Sequence, residues 1–286
     1  DGTIPSLVNA NTANGFSIVK YTGIGADGTV GHGLNSTVEL LIVKGLGTSN
    51  DWSVLHKDGG AGDFLQLNGS SAESGAGSIF GSTFTRPTSS VFSIGNTGET
   101  GTDDKEYIAY CWHSVSGFSK IGTYTGNGST QSITGVGFKP DFIMFKKTNA
   151  SQDWLMVDSK RGGQKELVPN GTAAEYTMSN GVSSFDSDGW SMGANNSLNT
   201  NSATYVYAAF KNNFAVAAAS GKMVFLVVAG GAGGSSNGGG GGAGGLRTSF
   251  GSTSGGGASA ESDITLASGT YTITIGAGGA AQTTYQ

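Results

Sequence analysis

Short apolar runs of four to seven residues recur along the first 213 positions, separated by clusters of Gly, Asn, Asp and Ser. The runs are rich in Val, Ile, Phe, Tyr and Thr, the residues that favour β-strands. No stretch keeps the period of about 3.6 residues that an amphipathic helix needs, and Gly recurs too often for a helix to grow. The pattern therefore predicts an all-β chain with very little helix.

Several of these runs are apolar on both faces of the strand that they predict. They are Leu40 to Val43, Tyr107 to Trp112, Phe142 to Phe145 and Tyr205 to Phe210. Such strands are central in a sheet and covered on both sides. The run Tyr271 to Ile275 alternates instead, which predicts a strand with one wet face. Two sheets packed face to face, in units of about 100 residues, satisfy both patterns.

Blocks of sequence recur in the same order about one hundred residues apart. The matching blocks are G-F-S at 15 and 117, Y-T-G at 21 and 124, D-W at 51 and 153, and the apolar runs at 107–112 and 205–210. This order predicts two copies of one β-sandwich-like domain, residues 15–116 and 117–213. Residues 1–14 form an N-terminal lead-in segment in this interpretation.

The composition changes abruptly after the second repeat. Eleven of the sixteen residues at 230–245 are Gly, and the β-prone run Met223 to Val228 enters this tract. A flexible linker is one interpretation. Linkers seldom carry such strands, however, and Gly backbones can approach closely in polyproline-II-like lattices. Residues 214–286 are therefore predicted to be a linker and an ordered glycine-rich module, which we expect to continue beyond residue 286.

Charge and cysteine content exclude several classes of function. The chain has 15 Lys and Arg against 20 Asp and Glu, a net charge of −5, and no basic stripe for nucleic acid. No window approaches the roughly eighteen apolar residues of a membrane span, so no membrane insertion is expected. One cysteine, Cys111, rules out an internal disulfide framework and a multi-Cys zinc site.

Candidates for catalysis are weak, and the sequence predicts neither an enzyme nor a cofactor. The three histidines, His32, His56 and His113, lack ligand spacing and have no counterparts in the second repeat, which favours scattered surface or strand positions. Cys111 lies inside a buried strand and is expected to be a core residue. The acidic pair Asp186 and Asp188 is a weak Ca²⁺ candidate, but a hairpin turn explains the D-S-D-G run better, and no metal site is predicted.

Two tryptophans remain as candidate ligand-binding residues. Trp52 and Trp154 each follow an Asp at matching positions of the two repeats. A repeated core or interface anchor is the first interpretation, and an exposed platform on which sugars stack is the alternative. The six Asn-x-Ser/Thr sequons, at residues 35, 68, 127, 149, 170 and 195, carry little weight in a chain rich in these residues.

Two tandem blocks resemble a repeated β domain of virion proteins from tailed phages, notably of marine bacteria. The blocks are G-F-S-I-V-K-Y-T-G and G-F-S-K-I-G-T-Y-T-G. Each is followed by a D-W pair, and in repeat 1 the run Y-I-A-Y-C-W comes later. The segments M-V-F-L-V-V-A-G-G-A-G-G and G-T-Y-T-I-T-I-G-A-G-G resemble the glycine-rich region of phage tail fibres and adhesins. One departure is the longer segment Asn35 to Glu39, where repeat 2 has Lys139 to Asp141. The adjoining turn is therefore expected to differ between the repeats.

The resemblance implies a structural or host-recognition role at the virion surface, usually as a homotrimer, without catalysis. The first hypothesis is a tail-fibre or receptor-binding subunit that contacts other virion proteins and a host-surface glycan or protein receptor. The second is a capsid decoration or head-fibre protein. The third, from another class, is a secreted carbohydrate-binding or glycan-cleaving β-sandwich protein. Its candidate acids are Asp186 with Asp188, or Asp103, Asp104 and Glu106, but neither set has the alternation that places acids on one face of a sheet.

Overall fold

The computed structural model describes residues 2–75, 77–212, 221–223, 226–228, 246–249, 252, 258–262 and 264–266. Within these residues every regular element is a β-strand and the strands pair in antiparallel sheets, which confirms the predicted all-β fold. The chain divides into two compact units, Asp1–Asn212 and Asn213–Gln286. The first unit holds the two sandwich-like repeats in tandem.

The first repeat is built on one long sheet and a short second layer. Its strands are β1 (Ser6–Asn11), β2 (Phe16–Thr22), β3 (Gly28–Gly31), β4 (Leu40–Gly45), β5 (Ser53–His56), β6 (Asp63–Gln66), β7 (Ser74–Gly75), β8 (Val91–Ile94) and β9 (Glu106–Trp112). The long sheet has the order β1-β2-β9-β4-β5-β6-β7, and β3 pairs with β8 in the second layer. The lead-in segment thus supplies an outermost strand, β1, to the sheet of repeat 1.

The second repeat has the same central arrangement with a larger second layer. Its strands are β10 (Ser119–Thr125), β11 (Gln131–Ile133), β12 (Phe142–Lys147), β13 (Leu155–Asp158), β14 (Lys165–Glu166), β15 (Tyr176–Thr177), β16 (Val182–Asp186), β17 (Gly189–Met192) and β18 (Thr204–Phe210). The sheet order is β10-β18-β12-β13, opposed by β11-β17-β16, and β14 pairs with β15. Here β10, β12 and β18 take the places of β2, β4 and β9.

The central strands are buried on both faces, as the sequence predicts, because each sheet is covered twice. In β4, Leu41 and Val43 pack into the core of repeat 1, between its sheet and its second layer. The alternate residues Leu40 and Ile42 pack into a separate cluster with Val206 and other residues of repeat 2. The two repeats therefore lie sheet against sheet, and each supplies the outer cover of the other.

Equivalent tyrosines fasten each repeat at the end of its central strands. The Tyr21 hydroxyl donates to the Thr100 carbonyl oxygen at 2.8 Å, and the Tyr124 hydroxyl donates to that of Leu198 at 2.7 Å. Burial raises the pKa of both phenols well above its usual range, so both remain protonated donors. These bonds give a structural reason for the repeated Y-T-G block.

The glycine of that block is required by a close backbone approach. A Cβ atom on Gly23 would lie 2.3 Å from the Thr102 carbonyl oxygen, and one on Gly126 would lie 2.3 Å from that of Thr200. No side chain fits at either distance, because real Cβ contacts do not fall below about 3.0 Å. The strand can therefore run against the neighbouring loop only where Gly stands.

The turns before β4 and β12 differ, as expected, but end in the same interaction. In repeat 1 the longer turn includes Asn35 with a φ of 56°, a left-handed conformation that Asn tolerates. Glu39 ends this turn and accepts a hydrogen bond from the Ser114 amide at 2.6 Å. In repeat 2 Asp141 accepts one from the Asn212 amide at 2.8 Å. Both acids thus tie the turn to the residues that follow the central strand.

In the second unit the structure describes four short strands. They are β19 (Gly221–Met223), β20 (Leu226–Val228), β21 (Leu246–Thr248) and β22 (Ile264–Leu266), paired as β19 with β22 and β20 with β21. Of the predicted strand at 223–228, Met223 ends β19 and residues 226–228 form β20, while residues 224 and 225 lie outside the described residues. The glycine tract at 230–245 and the predicted strand Tyr271 to Ile275 lie outside the described residues.

Candidate functional site

The repeated Asp-Trp pair is part of a hydrogen-bonded lock that each repeat contains. In repeat 2 the Asn170 side chain accepts a bond from the Trp154 amide at 2.9 Å and donates to Asp153 Oδ1 at 2.8 Å. In repeat 1 Asn68 makes the same two bonds, with the Trp52 amide at 2.9 Å and with Asp51 Oδ1 at 2.7 Å. Asn68 and Asn170 are sequon residues, so the structure gives a role to positions that the sequence analysis set aside.

The signal that could have found this lock is the spacing. In both repeats an Asn-Gly-Ser/Thr tripeptide begins sixteen residues after the Trp. The loops that follow the two Trp residues have different sequences. An Asn at the same spacing in both therefore indicates that it makes the same hydrogen bond in each repeat. A lock of this kind fixes the backbone just before β5 and β13, where each Trp leaves the loop.

Trp154 and Trp52 lie at the contact between the two repeats. Trp154 is 2 % exposed and belongs to the cluster shared by both sheets, and its Nε1 donates to the Gln66 carbonyl oxygen of repeat 1 at 2.7 Å. Trp52 is half-buried against the same cluster, with its ring 6.4 Å from that of Tyr110. Trp154 offers no open ring face to a sugar, so its position agrees with the first interpretation, an interface anchor, and not with the alternative of a ligand-binding platform.

Backbone hydrogen bonds cross the same contact and add to the apolar packing. The Glu73 amide donates to the Thr148 carbonyl oxygen at 2.7 Å, and the Gln152 amide donates to that of Ser70 at 2.8 Å. Lys146, 1 % exposed, extends its Nζ to the Ser70 carbonyl oxygen at 3.3 Å. Burial lowers the pKa of this ammonium group to about 8. A buried lysine bonded to a carbonyl of the other repeat was not predicted from the sequence.

The acidic pair Asp186 and Asp188 forms a hairpin turn between β16 and β17. Asp186 pairs in register with Gly189 across the turn. Asp188 accepts bonds from the Gly135 and Gly137 amides at 2.9 and 2.6 Å, which lowers the pKa of its carboxyl group. Asp186 accepts from two serine hydroxyls, as close as 2.7 Å. Internal donors therefore occupy the carboxylates of the weak Ca²⁺ candidate.

No group of three or more His, Cys, Asp or Glu residues that could hold a metal ion occurs among the described residues. Cys111 is buried in β9, as expected, and burial raises the pKa of its thiol to about 12. His32 and His56 are 0 % and 3 % exposed, so two of the three histidines lie inside repeat 1 and not at its surface. The part of the chain that the structure describes contains no helix long and apolar enough to span a membrane.

Glu166 is a further buried group that the sequence analysis missed. It is 0 % exposed, accepts a hydrogen bond from the Tyr176 hydroxyl, and leaves its second oxygen, Oε2, without a partner. Burial raises the pKa of this carboxyl group. The strand registers place Glu166 where repeat 1 has Phe64, which packs against the core. Repeat 2 thus replaces an apolar position with a carboxyl group that a nearby Tyr covers.

Open grooves lie on the described surface of the first unit. One of about 320 Å³ runs along the lead-in segment beside β1 and β3, lined by Thr3, Pro5, Val8, Gly33 and Ser90 among others. Another of about 230 Å³ is lined by Phe142 and Phe210, with ring centroids 6.2 Å apart, and by charged residues that include Asp141 and Asp158. Asp141 accepts a hydrogen bond from the Ser159 hydroxyl at 2.6 Å and Asp158 pairs with Arg161 at 2.6 Å, so both carboxylates have partners within the chain.

Comparison with known families gives one match. A model described as Domain of unknown function (DUF7483) matches residues 1–164 and again residues 128–255. The chain belongs to this family. Two matches to one model agree with the tandem domains seen in the structure. No curated protein and no solved structure matches the chain.

Proposed function

We propose that the chain is a structural protein of a phage virion, a tail-fibre or receptor-binding subunit that attaches the particle to a host surface without catalysis. The observation that carries the proposal is the duplication. Two copies of one β domain are joined sheet to sheet by a shared apolar cluster and by backbone hydrogen bonds. A pair of domains joined in this way is a stiff spacer with loops at its ends.

The sequence resemblance to repeated β domains of tailed-phage virion proteins supplies the biological setting of this proposal. In that setting the protein lies at the particle surface, contacts other virion proteins and binds a host-surface glycan or protein receptor. Several copies, assembled as the homotrimer that the resemblance implies, present their loops together. Weak contacts then add as avidity, and no deep pocket is required. The open grooves and the internally bonded acids of the first unit are compatible with this mode of action.

Electron microscopy of particles from the source that encodes the chain tests the proposal. Gold-labelled antibodies against the purified protein are expected to decorate tail fibres. Label over the capsid would make the chain a decoration or head-fibre protein. Particles that carry no label would overturn the virion role.

A second measurement tests the absence of catalysis. The purified chain is incubated with a panel of polysaccharides, and released reducing ends are counted. We expect no release above that of a heat-denatured sample. Release that disappears in both Asp186→Asn and Asp188→Asn would contradict the proposal and favour a glycan-cleaving protein.

A further inference from the structure

The outermost strand of repeat 1 is exposed along its whole length. In β1 the five residues after Ser6 are all exposed, and Leu7 retains 75 % and Val8 42 % of their surface. One edge of β1 pairs with β2, and in the described residues no strand lies on its other edge. Within the part of the chain that the structure describes, the backbone groups along that edge are therefore unpaired.

This edge lacks the features that normally prevent pairing between molecules. Exposed edges are commonly guarded by Lys or other charges, by Pro, by a bulge or by shortness. The strand Ser-Leu-Val-Asn-Ala-Asn has six residues with no charge, no Pro and no Gly, and its register with β2 runs without interruption from Ser6↔Tyr21 to Asn11↔Phe16. Leu7 is also an apolar side chain with most of its surface uncovered.

The strand is held in place before any partner arrives. Ile4, just ahead of it, is 3 % exposed in the core of repeat 1, and its amide donates to the Thr29 carbonyl oxygen at 3.0 Å. The Ser6 hydroxyl donates to the Gly31 carbonyl oxygen at 3.3 Å. A strand that is already ordered loses little conformational entropy when it is paired, so the cost of association is low.

We infer that β1 is a docking edge for the β1 strand of a second copy of this chain, paired antiparallel about a two-fold axis. Two properties of β1 favour a second copy as the occupant: its lack of charge and its length of six residues. A strand with Lys or Glu at the contact finds no opposite charge on β1, whereas a second β1 is uncharged, equally long and open at the matching edge. One contact then satisfies the free edges of both molecules.

The register with β2 gives the side-chain arrangement of this pair. Leu7 lies opposite Lys20 and Asn9 opposite Ile18, so residues 7, 9 and 11 share one face. In an antiparallel two-fold pair, residues 7 and 9 of one copy are neighbours of residues 7, 9 or 11 of the other on that same face. Charges placed at 7 and 9 therefore meet the same charges across the axis.

The test introduces charges on β1 of the full chain, positive in one variant and negative in the other. One variant carries Leu7→Lys with Asn9→Lys, and the other carries Leu7→Glu with Asn9→Glu. Molar mass is measured by light scattering over a range of concentrations. The wild-type chain at high concentration is expected to reach twice the mass of either variant, because like charges across the axis weaken pairing at least about tenfold. An equimolar mixture of the two variants is expected to recover the doubled mass.

The control is Leu46→Lys, which adds a charge at a residue that is 51 % exposed outside β1 and should leave the wild-type mass unchanged. Recovery in the mixture also shows that both variants are folded. Equal masses for the wild type and both variants overturn the inference, whether the strand then receives a different partner or none. Loss of mass in the variants without recovery in the mixture overturns the two-fold pairing as well. The mass ratio does not depend on the virion role, so either proposal can fail while the other stands.

Discussion

The imidazole of His56 makes folding depend on pH. It is 3 % exposed, and its Nδ1 accepts a bond from the Asp58 amide at 3.1 Å. Burial lowers the pKa of His56 from 6.5 to about 4; Asp58 and the Tyr207 backbone act in the opposite direction, and Lys57 and Arg86 add to the decrease. The folded chain therefore keeps this ring neutral at a pH where the unfolded chain protonates it.

The sign of the effect follows from this difference. Above pH 6.5 both states are neutral at His56, and its contribution to stability is complete. Between pH 6.5 and about 4 the unfolded state binds the extra proton, so the free energy of unfolding falls by about 3 kcal/mol in total. His56→Gln removes this titration. Urea unfolding is measured for both proteins from pH 8 to 4, and the difference in free energy of unfolding between the wild type and the variant should shrink below pH 6.5. A difference that does not change with pH would contradict the pKa shift.

Single positions also show where sequence reasoning works and where it stops. Cys111 could be placed in the core because its whole neighbourhood is apolar and β-prone. Glu166 could not, because its burial depends on Tyr176, which a loop and the β14–β15 pairing bring to it. A polar side chain becomes buried when another segment supplies its hydrogen-bond partner, and the local sequence pattern does not predict this burial.

For whole strands the limit lies elsewhere. The apolar runs correctly predicted central strands covered on both faces, and the repeated blocks identified equivalent strands. The sequence could not tell what covers the second face. Leu40 and Leu41 are the same residue type in adjacent positions, yet Leu40 packs against repeat 2 and Leu41 packs into the core of repeat 1. For the same reason Trp154 could not be assigned to the interface or to a ligand surface in advance.

The Asn lock should set the position of the strand that follows it. Asn170→Ala removes two hydrogen bonds, the one that Asn170 accepts from the Trp154 amide and the one that it donates to Asp153, and is expected to lower the free energy of unfolding by about 1–2 kcal/mol. Asn170→Asp keeps an acceptor for the amide but sets a second carboxylate beside Asp153. Asn170→Asp should therefore lower the free energy of unfolding more than Asn170→Ala does at pH 7, and part of this loss should be recovered near pH 3.

Urea unfolding of the three proteins at both pH values checks this ordering. The matched control is Asn149→Ala, which removes one bond of 3.3 Å from the Thr204 amide and should change stability by less than about 0.5 kcal/mol. If Asn170→Ala is no more destabilising than Asn149→Ala, the lock does not hold the strand. An Asp variant as stable as the Ala variant at pH 7 would mean that Asp153 is not its neighbour in solution.

The first unit as a whole should unfold as one body, although it contains two repeats of one domain. The cluster between the sheets takes Leu40, Ile42 and Val54 from repeat 1 and Ile121 and Val206 from repeat 2. None of these residues keeps its cover if the repeats separate. Each repeat alone would expose a wide apolar face, with a cost of roughly 25 cal/mol for every Å² returned to water. The stability of each repeat therefore includes a share that the other repeat supplies.

Val206→Asp tests this coupling from one side. The new carboxylate stands on a strand of repeat 2, 2 % exposed and facing repeat 1, with no partner for its charge. Hydrogen exchange read by mass spectrometry on peptides covering β4 reports on repeat 1, where no residue has changed. We expect exchange in those peptides to accelerate about tenfold or more, because opening of either repeat now removes less shared packing.

Ile24→Asp, at a residue 45 % exposed in repeat 1, adds the same charge outside the contact and should leave β4 protected. Unchanged protection of β4 in Val206→Asp would mean that the repeats fold independently, and the spacer would then be hinged.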